Sequence, residues 1–171
     1  MGSPIYINTI ETGFLGIIGV AVSQNGLLRL SMFQDSPDSF FQLNSEFQDG
    51  EYAISAQETK KYLDQINSYL NKEIKIFNFP IDWTVYTDFQ RAVLSETCRI
   101  PYGETSSYGE IAAAVGKPKA SRAVGQAEKS NQVPLVIPCH RVIGADGSLT
   151  GYGGKENIDI KAKILAFEQA G

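Results

Sequence analysis

A chain of 171 residues, 43% of them hydrophobic, has room for one full core or two small ones. It lacks the composition of a disordered or fibrous protein. No apolar run reaches the ~18 residues that span a bilayer, and no basic stretch leads into an apolar one at the start, so the expected compartment is the cytoplasm, or the nucleus in a eukaryotic cell. Two cysteines, Cys98 and Cys139, and a single histidine, His140, argue against a disulfide framework and a four-ligand structural zinc site. No metal, cofactor or membrane partner is expected.

The net charge of −4 does not by itself suggest a polyanionic partner, but the charge is uneven. Residues 1–82 hold five basic and ten acidic side chains; residues 83–171 hold ten and nine. Between 117 and 141 five cations (Lys117, Lys119, Arg122, Lys129, Arg141) face one anion, Glu128. Such a stripe fits salt-sensitive phosphate binding, and equally a solvated helix face.

In chain order, 5–10, 15–23 and 27–33 are rich in Ile, Val, Leu and Phe and read as strands, with Asn25-Gly26 as a hairpin signal between the last two. Residues 34–50 read as loop. Ser55 and Glu58 form a capping-box pair opening a helix with Tyr62, Ile66, Tyr69 and Leu70 on one face. A strand is expected over 74–79, and a boundary between Pro80 and Trp83. Residues 87–98 place Phe89, Val93 and Leu94 at helical spacing. Pro101-Tyr102-Gly103 interrupts. Ser107 and Glu110 form a second capping box, followed by Tyr108, Ile111, Ala112 and Val115. Gly116 ends that helix and Pro118 precedes the next. There Ala120, Ala123, Val124 and Ala127 make a narrow face opposite Lys119, Arg122, Gln126 and Lys129, which is the layout of a helix-turn-helix. The glycines and Asp146 within 142–154 read as a hairpin or wing. A last helix is expected from about Asp159, with Ile160, Ile164, Leu165 and Phe167 inward. The fold class is therefore α+β. A small N-terminal α/β domain (1–82, antiparallel sheet plus helix) precedes a mostly helical, winged helix-turn-helix domain (83–171).

The chemistry centres on Pro138-Cys139-His140-Arg141. A cysteine thiolate is a strong nucleophile near neutral pH, and here it adjoins the histidine. Adjacent residues on a strand point apart, so the pair also fits a buried, inert thiol beside a surface imidazole. Glu168 falls on the inward face of the last helix, where a carboxylate needs a partner such as His140 or Arg141. A Glu that orients a His that activates a Cys is a triad arrangement, and a solvated Glu168 at a frayed helix end is the alternative.

The run Val136-Ile137-Pro138-Cys139-His140-Arg141-Val142-Ile143 resembles the signature of the O6-alkylguanine-DNA alkyltransferase family (methylated-DNA–protein-cysteine methyltransferases). Ile100-Pro101-Tyr102-Gly103-Glu104, Ser107-Tyr108, Ser121-Arg122-Ala123-Val124-Gly125, Gly151-Tyr152-Gly153-Gly154 and Leu165-Ala166-Phe167-Glu168 continue the resemblance in order over roughly 86–168. The first half matches in layout alone. The resemblance implies DNA repair by irreversible, stoichiometric transfer of an alkyl group from O6-alkylguanine in duplex DNA to Cys139, on a base flipped out of the stack, by a protein acting as a monomer. O4-alkylthymine is a possible second substrate. It implies that His140 takes the thiol proton through a water, that Glu168 holds His140, and that Asn131 braces the active-site turn. Tyr108 would donate a proton toward the leaving guanine and help rotate the phosphate. Arg122 would replace the extruded nucleotide, with Lys119, Ser121 and Gly125 on the DNA side. Val142, Tyr152, Gly153 and Glu128 would line the base pocket.

Three positions depart from the family pattern: Gln132 replaces the usual Pro, Glu128 is an unusual acid on the recognition helix, and Phe167 stands where many members have His. A damage-binding relative without chemistry would lack Cys139. A transcription factor would carry polar readers in place of the small residues of 120–127. A thiol redox enzyme would need a resolving cysteine, and Cys98 reads as core.

Overall fold

The structure, a computed structural model, describes residues 3–34, 36–43, 52–150 and 155–171. The chain forms two compact units, 1–85 and 86–171. No helix among the described residues is long and apolar enough to cross a membrane.

The first unit is a four-stranded sheet in the order β3-β2-β1-β4, formed by β1 (Ile5–Thr12), β2 (Gly16–Ser23), β3 (Gly26–Gln34) and β4 (Tyr52–Ile54). The first three strands are antiparallel neighbours, as expected. β4, which the sequence reading did not anticipate, joins β1 in parallel. β2 is buried from Ile18 to Val22 on both faces, which explains its unbroken apolar run. The helix α1 (Pro37–Leu43) occupies part of the stretch read as loop. Its Phe40 packs with Ile7 and Ala21, which are paired in register. α2 (Ala56–Leu70) begins at Ser55, whose hydroxyl accepts the Glu58 N–H. It buries Tyr62, Leu63, Ile66 and Tyr69, so Leu63 takes the place expected of Leu70. Thr59, also buried, accepts a hydrogen bond from the Asn8 side chain of β1.

No strand forms over 74–79. The side-chain amide of Gln65 takes both hydrogen-bonding groups of the Asn78 backbone, at 2.6 and 3.2 Å. Phe77 and Phe79 stack on Tyr69 and Tyr62. With its polar groups and aromatic side chains committed to α2, the segment lies along that helix and Ile76 is left 81% exposed. The chain reaches the sheet afterwards, where Leu27 bonds to Pro80 and Asp82 on either side of Ile81. Burial pushes the Asp82 carboxyl up, and hydrogen bonds from Ser23 and Thr84 outweigh it and hold the group below the usual carboxylate range.

The second unit is built from α3 (Asp88–Thr97), α4 (Tyr108–Ala114), α5 (Ser121–Lys129) and α6 (Lys155–Gln169). A two-stranded parallel pair joins β5 (Ser106–Ser107) to β6 (Val142–Ile143). Complete capping boxes, Thr87 with Gln90 and Ser107 with Glu110, start α3 and α4. α4 and α5 pack on each other and on α3, around Val93, Ile100, Ile111, Ala112, Val124, Ala127 and Val142. This is the expected helix-turn-helix. Its second helix is rotated from the expected face: Ala123 is exposed, while Glu128 is buried with Val124 and Ala127. In the wing region Gly144 and Ser148 close a tight turn. α6 starts four residues before the expected Asp159, with Ile164 and Leu165 buried and Ile160 and Phe167 half-buried. Cys98 is exposed at the C-terminal cap of α3, not in the core, because the helix turns its Val93-Leu94-Thr97 face inward.

The hairpin turn itself is Gln24-Asn25, and Gly26 opens β3 at φ +130°. A Cβ on Gly26 would lie 2.3 Å from the Pro80 carbonyl oxygen. Gly26→Ala therefore combines an unfavourable backbone conformation with a backbone collision, and should destabilise the first unit by about 2–3 kcal/mol. Urea unfolding followed by the fluorescence of Trp83, the single tryptophan, reports it; an unchanged midpoint would show that the β3–Pro80 junction carries no such strain.

Candidate active site

Pro138 does not start a strand. Residues Cys139–Arg141 form one 3-10 turn, and all three side chains are buried, at 1%, 2% and 7% exposure. The turn removes the opposition between adjacent side chains that a strand would impose, and both Cys139 and His140 enter the interior.

Glu168 organises this interior. Its carboxylate, 2% exposed, lies 2.7 Å from His140 Nε2. It accepts from Arg141 Nε at 2.9 Å, from Arg141 Nη2 at 2.8 Å and from the Gly103 backbone N–H at 3.0 Å. The third nitrogen of Arg141 donates to the Ile100 carbonyl at 2.7 Å, and its guanidinium lies over the Tyr102 ring. Gly103 reaches Glu168 with φ +78°, a conformation that favours glycine. A bidentate Arg pair keeps Glu168 ionised, so it can only accept. His140 therefore carries its proton on Nε2. Burial lowers the His140 pKa and the Glu168 contact only partly offsets this, so the ring is neutral and its Nδ1 is a free base.

Asn131 holds the sulfur. Its side-chain N–H groups donate to Cys139 Sγ at 2.9 Å and to the Ile137 carbonyl at 3.0 Å, while its oxygen accepts from the Val133 N–H. Donation to sulfur favours the thiolate. Gln132 keeps the turn anchored, since its N–H donates to the Tyr86 hydroxyl at 3.0 Å, a bond that proline could not make. Tyr108 donates to the Thr150 carbonyl at 2.6 Å, and burial raises its pKa, so it keeps its proton.

Lys161, which the sequence reading missed, is 1% exposed. Its ammonium donates to the Val142 carbonyl, to the Thr150 carbonyl at 3.3 Å and toward the Tyr108 hydroxyl at 3.5 Å. The signal was present, because Lys161, Ile164, Leu165 and Glu168 share one helical stripe. Glu128 turns inward to Thr97 of α3.

On the outer side, α5 exposes Arg122, Gln126 and Lys129, and Lys119 is exposed in the preceding turn. A cleft of about 420 Å³ runs between α5 and the wing, lined by Tyr108, Ser121, Arg122, Gly125, Ala145 and Thr150. A Cβ on Gly125 would meet the Tyr108 ring at 3.8 Å, ordinary van der Waals contact. Val142 is buried with the helix-turn-helix core. Tyr152 and Gly153, and Gly151 and Gly154 beside them, lie outside the described residues.

Removing Glu168 would leave Arg141 buried without its counterion. Glu168→Ala should cost about 3–5 kcal/mol of stability in chemical denaturation, whereas an exposed pair such as Lys60–Asp64 should contribute less than about 1 kcal/mol. A loss below about 1 kcal/mol for Glu168→Ala would show that the network is solvated.

The comparisons with known proteins fall on the same residues. The family model for the 6-O-methylguanine DNA methyltransferase DNA-binding domain matches residues 88–170. The constitutive methylated-DNA–protein-cysteine methyltransferase of Bacillus subtilis (strain 168) is 40% identical over 166 residues, 96% of this chain and 95% of that protein. The methylated-DNA–protein-cysteine methyltransferase of Mycobacterium tuberculosis (strain H37Rv) is 48% identical over 108 residues, 63% of this chain and 64% of that one. The crystal structure of M. tuberculosis OGT in complex with DNA superposes with a TM-score of 0.80 at 36% identity, covering 96% of this chain and 93% of that one. Identity of this degree across nearly the whole length shows that the chain belongs to the methylated-DNA–protein-cysteine methyltransferase family.

Proposed function

We propose that this protein repairs alkylated duplex DNA by moving the alkyl group from O6 of guanine onto Cys139, once per molecule, acting as a monomer in the compartment that holds the DNA. The observation that carries the reading is the buried Cys139 sulfur with Asn131 on one side and, next to it, a neutral His140 oriented by Glu168.

The roles follow from the donors and acceptors present. His140 Nδ1 takes the thiol proton through a water, and Glu168 stabilises the imidazolium that results. The sulfur lone pair forms the S–C bond as the C–O6 bond breaks, and that bond's electron pair passes into the guanine. Tyr108 gives the base a proton and regains one from solvent, and the His140 imidazolium releases the thiol proton to solvent. A thioether is a far poorer leaving group than an O6-guanine, so the product persists and no turnover follows. Because O6 lies inside the duplex stack, the base must be flipped out at a cost of a few kcal/mol. Exposed Arg122, projecting from the helix that lines the cleft, supplies a long cation to fill the gap, with Lys119 and Ser121 toward the phosphates. Gly125 leaves room for close approach beside Tyr108, Val142 backbone faces the base, and Glu128 sits behind the pocket.

Incubation with O6-methylguanine duplex should place one methyl on the peptide containing Cys139 and none on Cys98, and Cys139→Ser should abolish transfer. Mass spectrometry of the intact protein and its peptides reads this directly. More than one methyl released per protein molecule, or methyl on Cys98, contradicts the assignment.

Arg122→Ala should slow repair of duplex DNA while leaving reaction with a free O6-alkylguanine base nearly unchanged, since the free base needs no extrusion. Rates on both substrates at two salt concentrations separate this from general phosphate attraction, which is worth under about 1 kcal/mol for one surface charge. A duplex defect fully restored at low salt, or an equal loss on the free base, rejects the intercalating role.

A further inference from the structure

Glu128 is 4% exposed, and its Oε2 has no hydrogen-bond partner among the described residues. Its Oε1 lies 2.5 Å from Thr97 Oγ1, which is itself 3.0 Å from the Val93 carbonyl oxygen. A hydroxyl has one hydrogen. If Glu128 were ionised, Thr97 would have two acceptors and one proton, and one of the two contacts would be oxygen against oxygen. If Glu128 is the neutral acid, it donates to Thr97, Thr97 donates to Val93, and both contacts are hydrogen bonds. The geometry therefore fits a protonated Glu128. Its environment agrees: burial pushes the carboxyl up to about 7, with Lys161 opposing part of the rise.

The charged and titratable groups around it come from each packed element. Thr97 and the Cys98 thiol come from α3, Tyr108 from α4 and Lys161 from α6, and Lys161 in turn faces Cys139 of the 3-10 turn. Glu168 already balances Arg141, and His140 is neutral. Burial lowers the Lys161 pKa, and two groups resist it by drawing on the ammonium charge, Cys139 more strongly and then Glu128. One buried cation thus serves two potential anions.

We propose that Glu128 is a further positioning residue of alkyl transfer: protonated, it leaves the charge of Lys161 to the Cys139 thiolate, and ionised, it claims that charge and suppresses the thiolate. No atom of Glu128 enters the transfer; its proton exchanges with solvent. The inference rests on Cys139 being the acceptor. The sign follows directly. As pH rises through about 7, Glu128 loses its proton, a negative charge appears that competes for Lys161, and thiolate formation becomes harder just where a bare thiol would gain from the higher pH.

The test measures the rate of transfer from a free O6-alkylguanine base, so that DNA binding does not enter, together with thiolate ultraviolet absorbance, between about pH 6 and about pH 8.5. The full-length protein is compared with Glu128→Gln and Thr97→Val. In Glu128→Gln the ratio of the rates at the two ends should exceed that of the unmodified protein by about tenfold, equivalent to one unit of thiol pKa, and the thiolate band should appear at lower pH. Thr97→Val removes the hydroxyl paired with the carboxyl, so it should move the inflection of the profile. Superimposable profiles overturn the proposal, as does a uniform loss with an unchanged ratio. If Glu128→Gln does not fold, an unmoved inflection in Thr97→Val overturns it alone. Methyl mapped to Cys139 with flat profiles removes this inference only, whereas methyl mapped elsewhere removes the acceptor assignment on which it stands.

Discussion

A carboxylate taken out of water needs a full set of donors, and the catalytic unit is arranged around supplying them to Glu168. Four donors converge on its two oxygens: two from Arg141, one from Gly103 and one from His140. They come from two separated stretches of chain, so the carboxylate ties the 100–103 turn and the Cys139–Arg141 turn to the end of α6. The two bonds from Arg141 keep the charge in place, and the bond from His140 converts that fixed charge into a fixed tautomer. The chemistry at Cys139 then needs no movement of protein groups to present a basic nitrogen. Such preorganisation is more valuable in a dry interior than at a surface, because water would compete for each of these contacts.

Charge balance follows from the same constraint. Glu168 and Arg141 cancel, which leaves Lys161 as the buried cation near a sulfur that must become negative for reaction. Its ammonium is held by the Val142 and Thr150 carbonyls and approaches the Tyr108 hydroxyl. These partners also belong to the wall of the cleft and to the strand that follows the acceptor. One lysine therefore couples the electrostatics of the thiol to the geometry of the base-binding side.

Much of this was legible in the residues. Apolar alternation and capping pairs located the first three strands, α2, α3 and α4, because those signals are local and the tertiary contacts agree with them. The Pro138-Cys139-His140-Arg141 run and Glu168 located the chemistry. What failed was decided by partners distant in sequence. Residues 74–79 have a strand's composition, yet Gln65 and the α2 aromatics take their polar and apolar groups. β4 forms because the edge of β1 is open, which no feature of Tyr52–Ile54 announces. The inward face of α5 was misread because small alanines suggested contact, whereas burial follows Val124, Ala127 and Glu128. A buried acid breaks the usual apolar pattern, and nothing in its neighbours along the chain names Thr97 as the partner that makes it tolerable. Lys161 was hidden by the same expectation that long cations lie outside.

α5 explains why this unusual acid matters to the whole unit. Arg122 and Glu128 are six residues apart on one helix, so they project about 120° apart around its axis. Arg122 faces solvent at the cleft, and Glu128 faces Thr97 in the interior. Val124 and Ala127 between them lock the helix to α3 and α4, so a helix seated on DNA cannot shift without disturbing the Glu128–Thr97 contact. The side chain proposed to meet the duplex and the side chain proposed to share the charge of Lys161 with Cys139 therefore lie on one packed element. On the proposed roles of Arg122 and Glu128, one packed helix rather than a moving part would carry both the DNA contact and the influence on the thiol, which suits a protein whose one chemical event leaves nothing to reset.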